Sequence, residues 1–182
     1  STLKTYYGNP TEVWKNVLKE FSVKHVFANH DYEPYAIARD KKIAELLTSN
    51  AVSFTTYKDQ VVLEKSEVTK DDGLPYTVFT PYKNKYRLKL NDFYLKSFPT
   101  EKYFHAFNKI SAQEIIGLNE MGFEKMNLQF PSKQISEEII KQYSLRRDFP
   151  AVNGTSHISV HLRFGTVSIR ELMRHAINVS EQ

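Results

Sequence analysis

The sequence predicts an α/β fold, and three observations carry that prediction. Strand-like runs alternate with helical periodicity over the first third of the chain. The 182 residues contain no cysteine, so the fold depends on a packed core rather than on disulfides or thiolate metal sites. From Pro75 onward the chain is rich in tyrosine and phenylalanine, and its periodic segments are helical. We therefore expect a parallel sheet followed by a helical segment.

The first strand and helix are predicted from the break between them. Leu3–Tyr7 has strand character, and the following Gly-Asn-Pro ends it. Thr11 suits the N-cap of the next helix. The apolar residues of that helix fall on one stripe, which makes the single tryptophan a core residue. They are Val13, Trp14, Val17, Leu18 and Phe21.

The next elements continue the alternation of strand and helix. Lys24–Asn29 is predicted as a buried strand and Pro34–Leu47 as an amphipathic helix. Val52–Thr55 and Val61–Leu63 supply further strand-like runs. This order is typical of βαβ units on a parallel sheet. The sheet would have only about three strands, fewer than an open parallel sheet normally has, so we expect further strands before residue 1.

An aromatic region with irregular character follows the turn at Thr69–Gly73. A helix is predicted over Pro81–Leu90, and an irregular connector then runs to about residue 132. A short helix over Ala112–Met121 interrupts this connector. The connector's aromatic side chains need a partner surface to bury against.

Composition and charge exclude several classes of function. No apolar run approaches the roughly 20 residues of a membrane-spanning helix, so we expect no membrane partner. The formal net charge is +4, from 25 basic and 21 acidic residues. This balance is compatible with a polyanionic partner but is not by itself evidence of a nucleic-acid surface. With no charged and apolar leader and no cysteine, the expected localisation is cytoplasmic.

The last third of the chain holds the most informative motif. A helix is predicted to begin at Ser136, to break at Phe149-Pro150, and to be followed by a helix from Thr155 onward. Gly154 and the two hydroxyl residues after it would then present backbone N–H groups, hydroxyls and the positive end of a helix dipole together. That arrangement suits a phosphate group. Helix capping alone is the alternative interpretation.

Several separated segments resemble the DNA photolyase and cryptochrome family, in the same order along the chain. The flavin-binding signature of that family is similar to Gly154-Thr155-Ser156, Leu162–Gly165 and Ser168–Glu171. The upstream segments that agree are Asn29–Tyr35 with Arg39-Asp40, Asp71–Tyr82, and Tyr143 with Arg147–Pro150. The resemblance covers nearly the whole chain, and motifs in the right order are more specific than any one of them.

The resemblance implies a partial Rossmann-like parallel sheet, the antenna domain, over residues 1–95. It implies an interdomain connector over residues 96–134 and the start of an all-α FAD-binding domain over residues 135–182. It also implies FAD as the cofactor of the intact protein. The residues that it assigns to the flavin are Tyr143, Thr155, Ser156, His157, Ile158 and Ser159. The family usually has Arg, Pro and Tyr where this chain has His157, Val160 and His161.

Two further sets of residues have both a functional and a structural interpretation. The resemblance implies that Glu33 contacts an antenna chromophore, a folate or a deazaflavin, whereas a carboxylate at this place also fits a helix cap. His157 and His161 have the spacing of a metal-binding pair on one helix. Because no third ligand is identifiable, we predict structural histidines and no metal. The basic run from Lys83 to Lys89 is interpreted as a solvated helix face.

The resemblance implies that the intact protein is a light-driven DNA repair enzyme, a deoxyribodipyrimidine photolyase. Such an enzyme splits cyclobutane pyrimidine dimers in UV-damaged DNA by electron transfer from reduced FAD. We expect this chain to be an internal fragment that is inactive alone and self-associates through exposed sheet edges. A cryptochrome-type blue-light photoreceptor and a non-enzymatic α/β binding module are the alternatives.

Overall fold

The computed structural model describes residues 3–180. Two compact units, each with its own apolar core, make up the chain. The first unit contains the residues up to Tyr57 together with Pro99–Leu128. The second contains Lys58–Phe98 and the residues from Gln129 onward. The predicted assignment of residues 1–95, 96–134 and 135–182 to domains of the family stays a prediction.

The first unit contains a βαβ arrangement, which confirms the predicted α/β class. Helix α1 spans Pro10–Glu20, strand β1 His25–Asn29, helix α2 Pro34–Ser49 and strand β2 Ser53–Tyr57. The two strands are parallel, and the register begins with His25 opposite Ser53. Asn9, rather than the predicted Thr11, caps α1: its side-chain oxygen accepts a hydrogen bond from the Thr11 N–H at 3.0 Å. Pro10 occupies the first helical position, where its missing N–H costs nothing.

One face of the two strands packs onto the helices. Val26 and Val52 are buried together with Ile43 and Leu47 of α2. Trp14 of α1 packs against this cluster, as predicted from its place on the apolar stripe. On the other face the rings of His25, Phe27 and Tyr57 follow one another 6.2 Å apart and are exposed. The predicted self-association through sheet edges stays a prediction.

The expected strand at Leu3–Tyr7 is wrong, because these residues form no ladder with β1 or β2. Their side chains make the contacts instead. Lys4 forms an ion pair with Glu20, and the Tyr6 hydroxyl donates to the same carboxylate at 2.9 Å. Extended backbone becomes a strand only when a neighbouring strand accepts its hydrogen bonds.

The expected helix at Ala112–Met121 is also wrong, since this segment is irregular and ends in a turn. Two of its backbone N–H groups are bonded to side chains, and the helical bond from the Met121 N–H to the Gly117 carbonyl at 3.3 Å is confined to the final turn. The Ile116 N–H donates to the Thr5 hydroxyl at 3.5 Å, and the Gly117 N–H donates to Glu120 at 3.1 Å. The rest of the predicted connector is irregular apart from a 3₁₀ helix at Thr100–Ala106.

The second unit is helical. Its elements are a 3₁₀ helix at Lys65–Glu67 and helices α3 at Phe79–Lys89, α4 at Asp92–Leu95, α5 at Glu137–Arg146, α6 at Ser159–Arg163 and α7 at Ile169–Ser180. Helix α7 packs against α4 and α5. Val61–Leu63 is not the predicted strand: Val62 and Leu63 are consecutive and both buried in the second core, whereas a strand alternates its faces. Among the described residues, no helix combines the length and apolar character that crossing a membrane requires.

The predicted helix from Thr155 onward begins four residues late and is interrupted. His157 has a φ of 51°, in the left-handed region, so the helix cannot start before it. Helix α6 starts at Ser159 and stops at Arg163, and Gly165 with a φ of 62° turns the chain toward α7. Thr155 and Ser156 therefore lie in a loop before a short helix, not in the first turn of a long one.

An ion pair between Lys58 and Glu67 joins the start of the second unit to its 3₁₀ helix. The Lys58 ammonium donates to both carboxylate oxygens, at 2.9 and 2.7 Å, and the Glu64 N–H donates to one of them at 2.6 Å. Burial alone would raise the pKa of Glu67, but these hydrogen bonds outweigh it and hold the pKa below its ordinary value of 4.5. The carboxylate therefore stabilises the unit in its charged form.

We expect Glu67→Gln to lower the free energy of unfolding by about 1 kcal/mol at neutral pH, because the pair is partly screened by solvent. A carboxylate whose pKa is lower in the folded state than in the unfolded state contributes its full stabilisation at pH values above the unfolded-state pKa. That stabilisation is lost as the pH falls through the folded-state pKa. The difference between wild type and variant should therefore vanish in acid. Urea unfolding at about pH 7 and about pH 3 measures it.

The control is the exposed ion pair between Lys85 and Asp71, whose carboxylate side chain is 96% exposed. Asp71→Asn should leave the free energy of unfolding unchanged at both pH values. An equal effect of the two substitutions would show that general surface charge, and not the Glu67 pair, sets the acid sensitivity.

Candidate functional site

The loop between α5 and α6 is held against the end of α5 by its glycine. A Cβ built on Gly154 would lie 2.6 Å from the Arg146 Cβ and 2.9 Å from both the carbon and the oxygen of the Arg146 carbonyl. Only glycine allows so close an approach of the two segments. The buried Gly154 therefore determines where the next two residues, Thr155 and Ser156, are presented.

Thr155, Ser156 and His157 line a cleft of about 520 Å³. The opposite wall is formed by the chain that leads into α5, residues 129–136. The polar side chains of the lining are Gln129, Ser132, Gln134, Ser136, Asn153, Thr155, Ser156 and His157. Ser136 also caps α5, since its hydroxyl accepts a hydrogen bond from the Ile139 N–H at 3.3 Å. The cap agrees with the predicted helix start.

A second cleft, of about 380 Å³, shares Asn153, Thr155 and His157 with the first. Within the part of the chain that the structure describes, Arg147 is the one lysine or arginine that lines this second cleft, and its guanidinium also pairs with the Asp148 carboxylate at 3.6 Å. His157 itself lies close to Thr155, with 3.4 Å between its Nε2 atom and the threonine hydroxyl. The loop thus presents hydroxyl, amide and imidazole groups to two adjoining clefts.

This donor set fits a phosphate-bearing cofactor. Among the described residues that line the two clefts there is no aspartate or glutamate; outside the lining, the Asp148 carboxylate lies 3.6 Å from the Arg147 guanidinium. Hydroxyl and amide hydrogens and the Arg147 guanidinium are the groups that phosphate oxygens accept from. A cleft of this size is in the range that holds part of a nucleotide cofactor. The helix dipole that the sequence suggested contributes little, because α6 has only five residues.

The other residues that were assigned to the flavin are distributed around the loop rather than gathered in one cleft. Tyr143 lies on α5, is 47% exposed, and carries the Arg147 guanidinium 5.6 Å from its ring centre. It does not line the cleft of Thr155 and Ser156. Ile158 is buried, and Ser159 is the exposed first residue of α6. Ile158 therefore anchors the loop through packing.

The two histidines of the predicted i, i+4 pair have different environments. His161 is buried, and both of its ring nitrogens are hydrogen-bonded within the protein, to Thr166 and to the Pro131 carbonyl. His157 is exposed in the loop. Within residues 3–180, no group of three or more His, Cys, Asp or Glu side chains is placed to hold a metal ion. His161 is thus a structural histidine.

Glu33, the residue assigned to an antenna chromophore, is the N-cap residue of α2. It occupies the capping position that the alternative interpretation predicts, but its side chain makes no capping hydrogen bond. Its N–H donates to the Asp31 carboxylate at 3.2 Å. The basic run of α3 is exposed except at its end: Lys85 pairs with Asp71, whereas the half-buried Lys89 donates to the Glu67 carbonyl at 2.8 Å.

Comparison with known proteins identifies the family. Residues 1–102 match the sequence model of a family described as DNA photolyase, which is more than half of the chain. The chain belongs to the DNA photolyase family. Its fold agrees with this: a bacterial class III photolyase from Agrobacterium tumefaciens superimposes on 93% of the chain with a TM-score of 0.68 at 20% sequence identity.

Curated photolyase relatives match the chain beyond the range of the family model. The deoxyribodipyrimidine photo-lyase of Salmonella typhimurium is 29% identical over 175 residues, which is 91% of this chain and 37% of the relative. That of Alkalihalophilus pseudofirmus is 29% identical over 169 residues, which is 84% of this chain and 34% of the relative. This photolyase-family chain therefore spans about a third of the length of these relatives.

The structure adds residues to the site of the photolyase-family chain that sequence reasoning missed. Asn153, Gln134 and Ser132 share the cleft with Thr155 and Ser156. Asn153 directly precedes the Gly-Thr-Ser motif, so a wider window around the motif would have included it. No local signal marks the other two, because the fold brings them to the loop from about twenty residues away.

Proposed function

We propose that this chain is part of a light-driven DNA repair enzyme that splits cyclobutane pyrimidine dimers with reduced FAD. The observation that carries the proposal is the carboxylate-free cleft at Thr155 and Ser156 in a member of the photolyase family. UV-damaged DNA is the proposed substrate, with the two joined pyrimidines of one strand turned out of the duplex toward the cofactor. A folate or deazaflavin antenna near Glu33 is a further part of the proposal.

The residues of this chain bind and orient the cofactor rather than carry out acid–base chemistry. Thr155 and Ser156 donate their hydroxyl hydrogens to the diphosphate, Ser159 adds a third hydroxyl, and Tyr143 packs against the cofactor. Arg147 supplies positive charge beside it, and the His157 imidazole adds a further hydrogen-bonding group. FAD, when bound, supplies the electron that splitting the dimer requires. No side chain needs to act as a nucleophile or a general base.

The test compares a Thr155→Val, Ser156→Ala double variant with wild type in the native full-length protein. We expect FAD binding to weaken about a hundredfold, because a hydrogen bond to a charged group contributes about 1.5 kcal/mol or more. Flavin fluorescence titration measures the affinity. Absorbance of an oligonucleotide that carries a thymine dimer, under blue light, measures repair.

The matched control is another Thr-Ser pair, Thr48 and Ser49, which is exposed at the end of α2. Thr48→Val, Ser49→Ala should leave FAD affinity and repair unchanged. Wild-type protein that binds FAD but repairs no dimer would support a cryptochrome-type photoreceptor instead. Wild-type protein that binds no FAD would support the non-enzymatic binding module.

A further inference from the structure

The ring of His161 connects two segments of the second unit. His161 lies on α6 and is 8% exposed. Its Nε2 atom is 2.8 Å from the carbonyl oxygen of Pro131, a residue thirty positions away. Its Nδ1 atom is 2.8 Å from the hydroxyl of Thr166, just past the end of α6. The imidazole on α6 is thus hydrogen-bonded both to the chain that leads into α5 and to the turn between α6 and α7.

The chemistry of the partners assigns the protons. A carbonyl oxygen only accepts, so Nε2 carries the hydrogen that it donates to Pro131. In the neutral ring, Nδ1 then accepts the hydrogen of the Thr166 hydroxyl. Pro131 has no backbone N–H, so its carbonyl is the one backbone group through which this residue can be hydrogen-bonded. The bond from His161 therefore fixes the backbone at Pro131 directly.

Pro131 belongs to the wall of the cleft that faces Thr155 and Ser156. The residues on either side of it, Phe130 and Ser132, line the same cleft and are exposed. An exposed segment has little packing to hold it in one place. The width of the cleft consequently depends on the bond that ties Pro131 to α6.

We propose that His161 is a positioning residue, which sets the distance between the 129–136 wall and the Gly154–His157 loop and so shapes the cleft for its ligand. Its role is separate from binding: the imidazole is buried and is not one of the residues that line the cleft. The identity of the ligand as the FAD diphosphate rests on the proposed function. The positioning role of His161 rests on the two hydrogen bonds of its ring.

Two amide variants separate the two bonds. The side-chain amide of glutamine reaches the place of Nε2, so His161→Gln keeps a donor for Pro131 and loses the bond to Thr166. The shorter asparagine places its amide near Nδ1, so His161→Asn keeps the bond to Thr166 and loses the bond to Pro131. Asparagine is one methylene group smaller than glutamine, and urea unfolding of the two variants reports this difference in packing.

The experiment measures hydrogen–deuterium exchange of residues 129–136, urea unfolding and FAD affinity in the native full-length protein. We expect His161→Asn to raise exchange in 129–136 and to weaken FAD binding about tenfold, the cost of one hydrogen bond. His161→Gln should retain both properties of the wild type. Equal changes in the two variants, or changes that follow global stability, would overturn the proposal.

The remaining outcomes are also decisive. If His161→Asn fails to fold while His161→Gln folds, the bond serves folding of the unit rather than the shape of the cleft, and the proposal is wrong. If neither variant folds, it is wrong for the same reason. If wild type binds no FAD, the proposed function fails. Hydrogen–deuterium exchange of residues 129–136 in the two variants then still tests the positioning role of His161.

Discussion

Gly154→Ala should destabilise the second unit by about 3 kcal/mol and abolish cofactor binding, because the new methyl group has no space. Its nearest neighbours are the Cβ and the carbonyl group of Arg146, at 2.6 to 2.9 Å. Backbone atoms of a helix end cannot move aside as a flexible side chain can. The loop that carries Thr155 and Ser156 must therefore shift away from α5. Urea unfolding followed by circular dichroism and FAD titration measure the two effects.

Gly165→Ala provides the control for that substitution. A Cβ at Gly165 meets nothing within 4 Å, so the only cost is that of a φ of 62°. That cost is about 1 kcal/mol, and the cleft should keep its affinity for FAD. If the two alanine variants lost affinity equally, the close contact with Arg146 would not be what positions the loop.

Leu47→Ala should have the largest effect on the first unit. Leu47 is the largest fully buried side chain of the described residues, with 0% exposure, and it packs with Val26, Ile43 and Val52. Truncation removes apolar contacts and leaves a cavity, which costs about 3 kcal/mol. Trp14 packs against the same cluster and is the single tryptophan, so its fluorescence reports unfolding of this unit specifically.

Ile37→Ala, on the same helix, is the matched control because its side chain is 56% exposed. We expect it to change the free energy of unfolding by no more than about 0.5 kcal/mol. A comparable loss from both substitutions would mean that Leu47 contributes through helix formation rather than through the core.

Elements that depend on residues close together in the sequence were predicted correctly, whereas elements that depend on distant residues were not. The helix at Pro34–Ser49, predicted as Pro34–Leu47, and the strand at His25–Asn29, predicted as Lys24–Asn29, were found because their apolar spacing is local. The strand is buried on one face only and not on both as predicted. The strand expected at Leu3–Tyr7 failed because strand formation needs a partner, and Glu20 and other side chains take its contacts. The helix expected at Ala112–Met121 failed for a related reason: the threonine hydroxyl of residue 5 and a glutamate accept its backbone hydrogens.

In the candidate site, too, the features set by sequence neighbours were predicted and those set by distant residues were not. The Gly-Thr-Ser motif and its resemblance to a flavin signature could be recognised from residues that are neighbours in the chain. The facing wall could not, because Pro131 is brought there by a bond from His161, thirty positions later. The left-handed backbone of His157 could not be recognised either, and it prevents the single long helix that the sequence predicts.

The sequence by itself determined the α/β class, the family and the hydroxyl residues of the Gly-Thr-Ser motif, since each is recognised from local spacing or from an ordered set of motifs. Only the tertiary structure decided that Gly154 lies against the end of α5 and that Thr155 and Ser156 face the 129–136 segment across a cleft. The physical reason is that a cleft needs two walls. Steric fit and hydrogen bonds between distant residues set the space between them, and no local pattern encodes those.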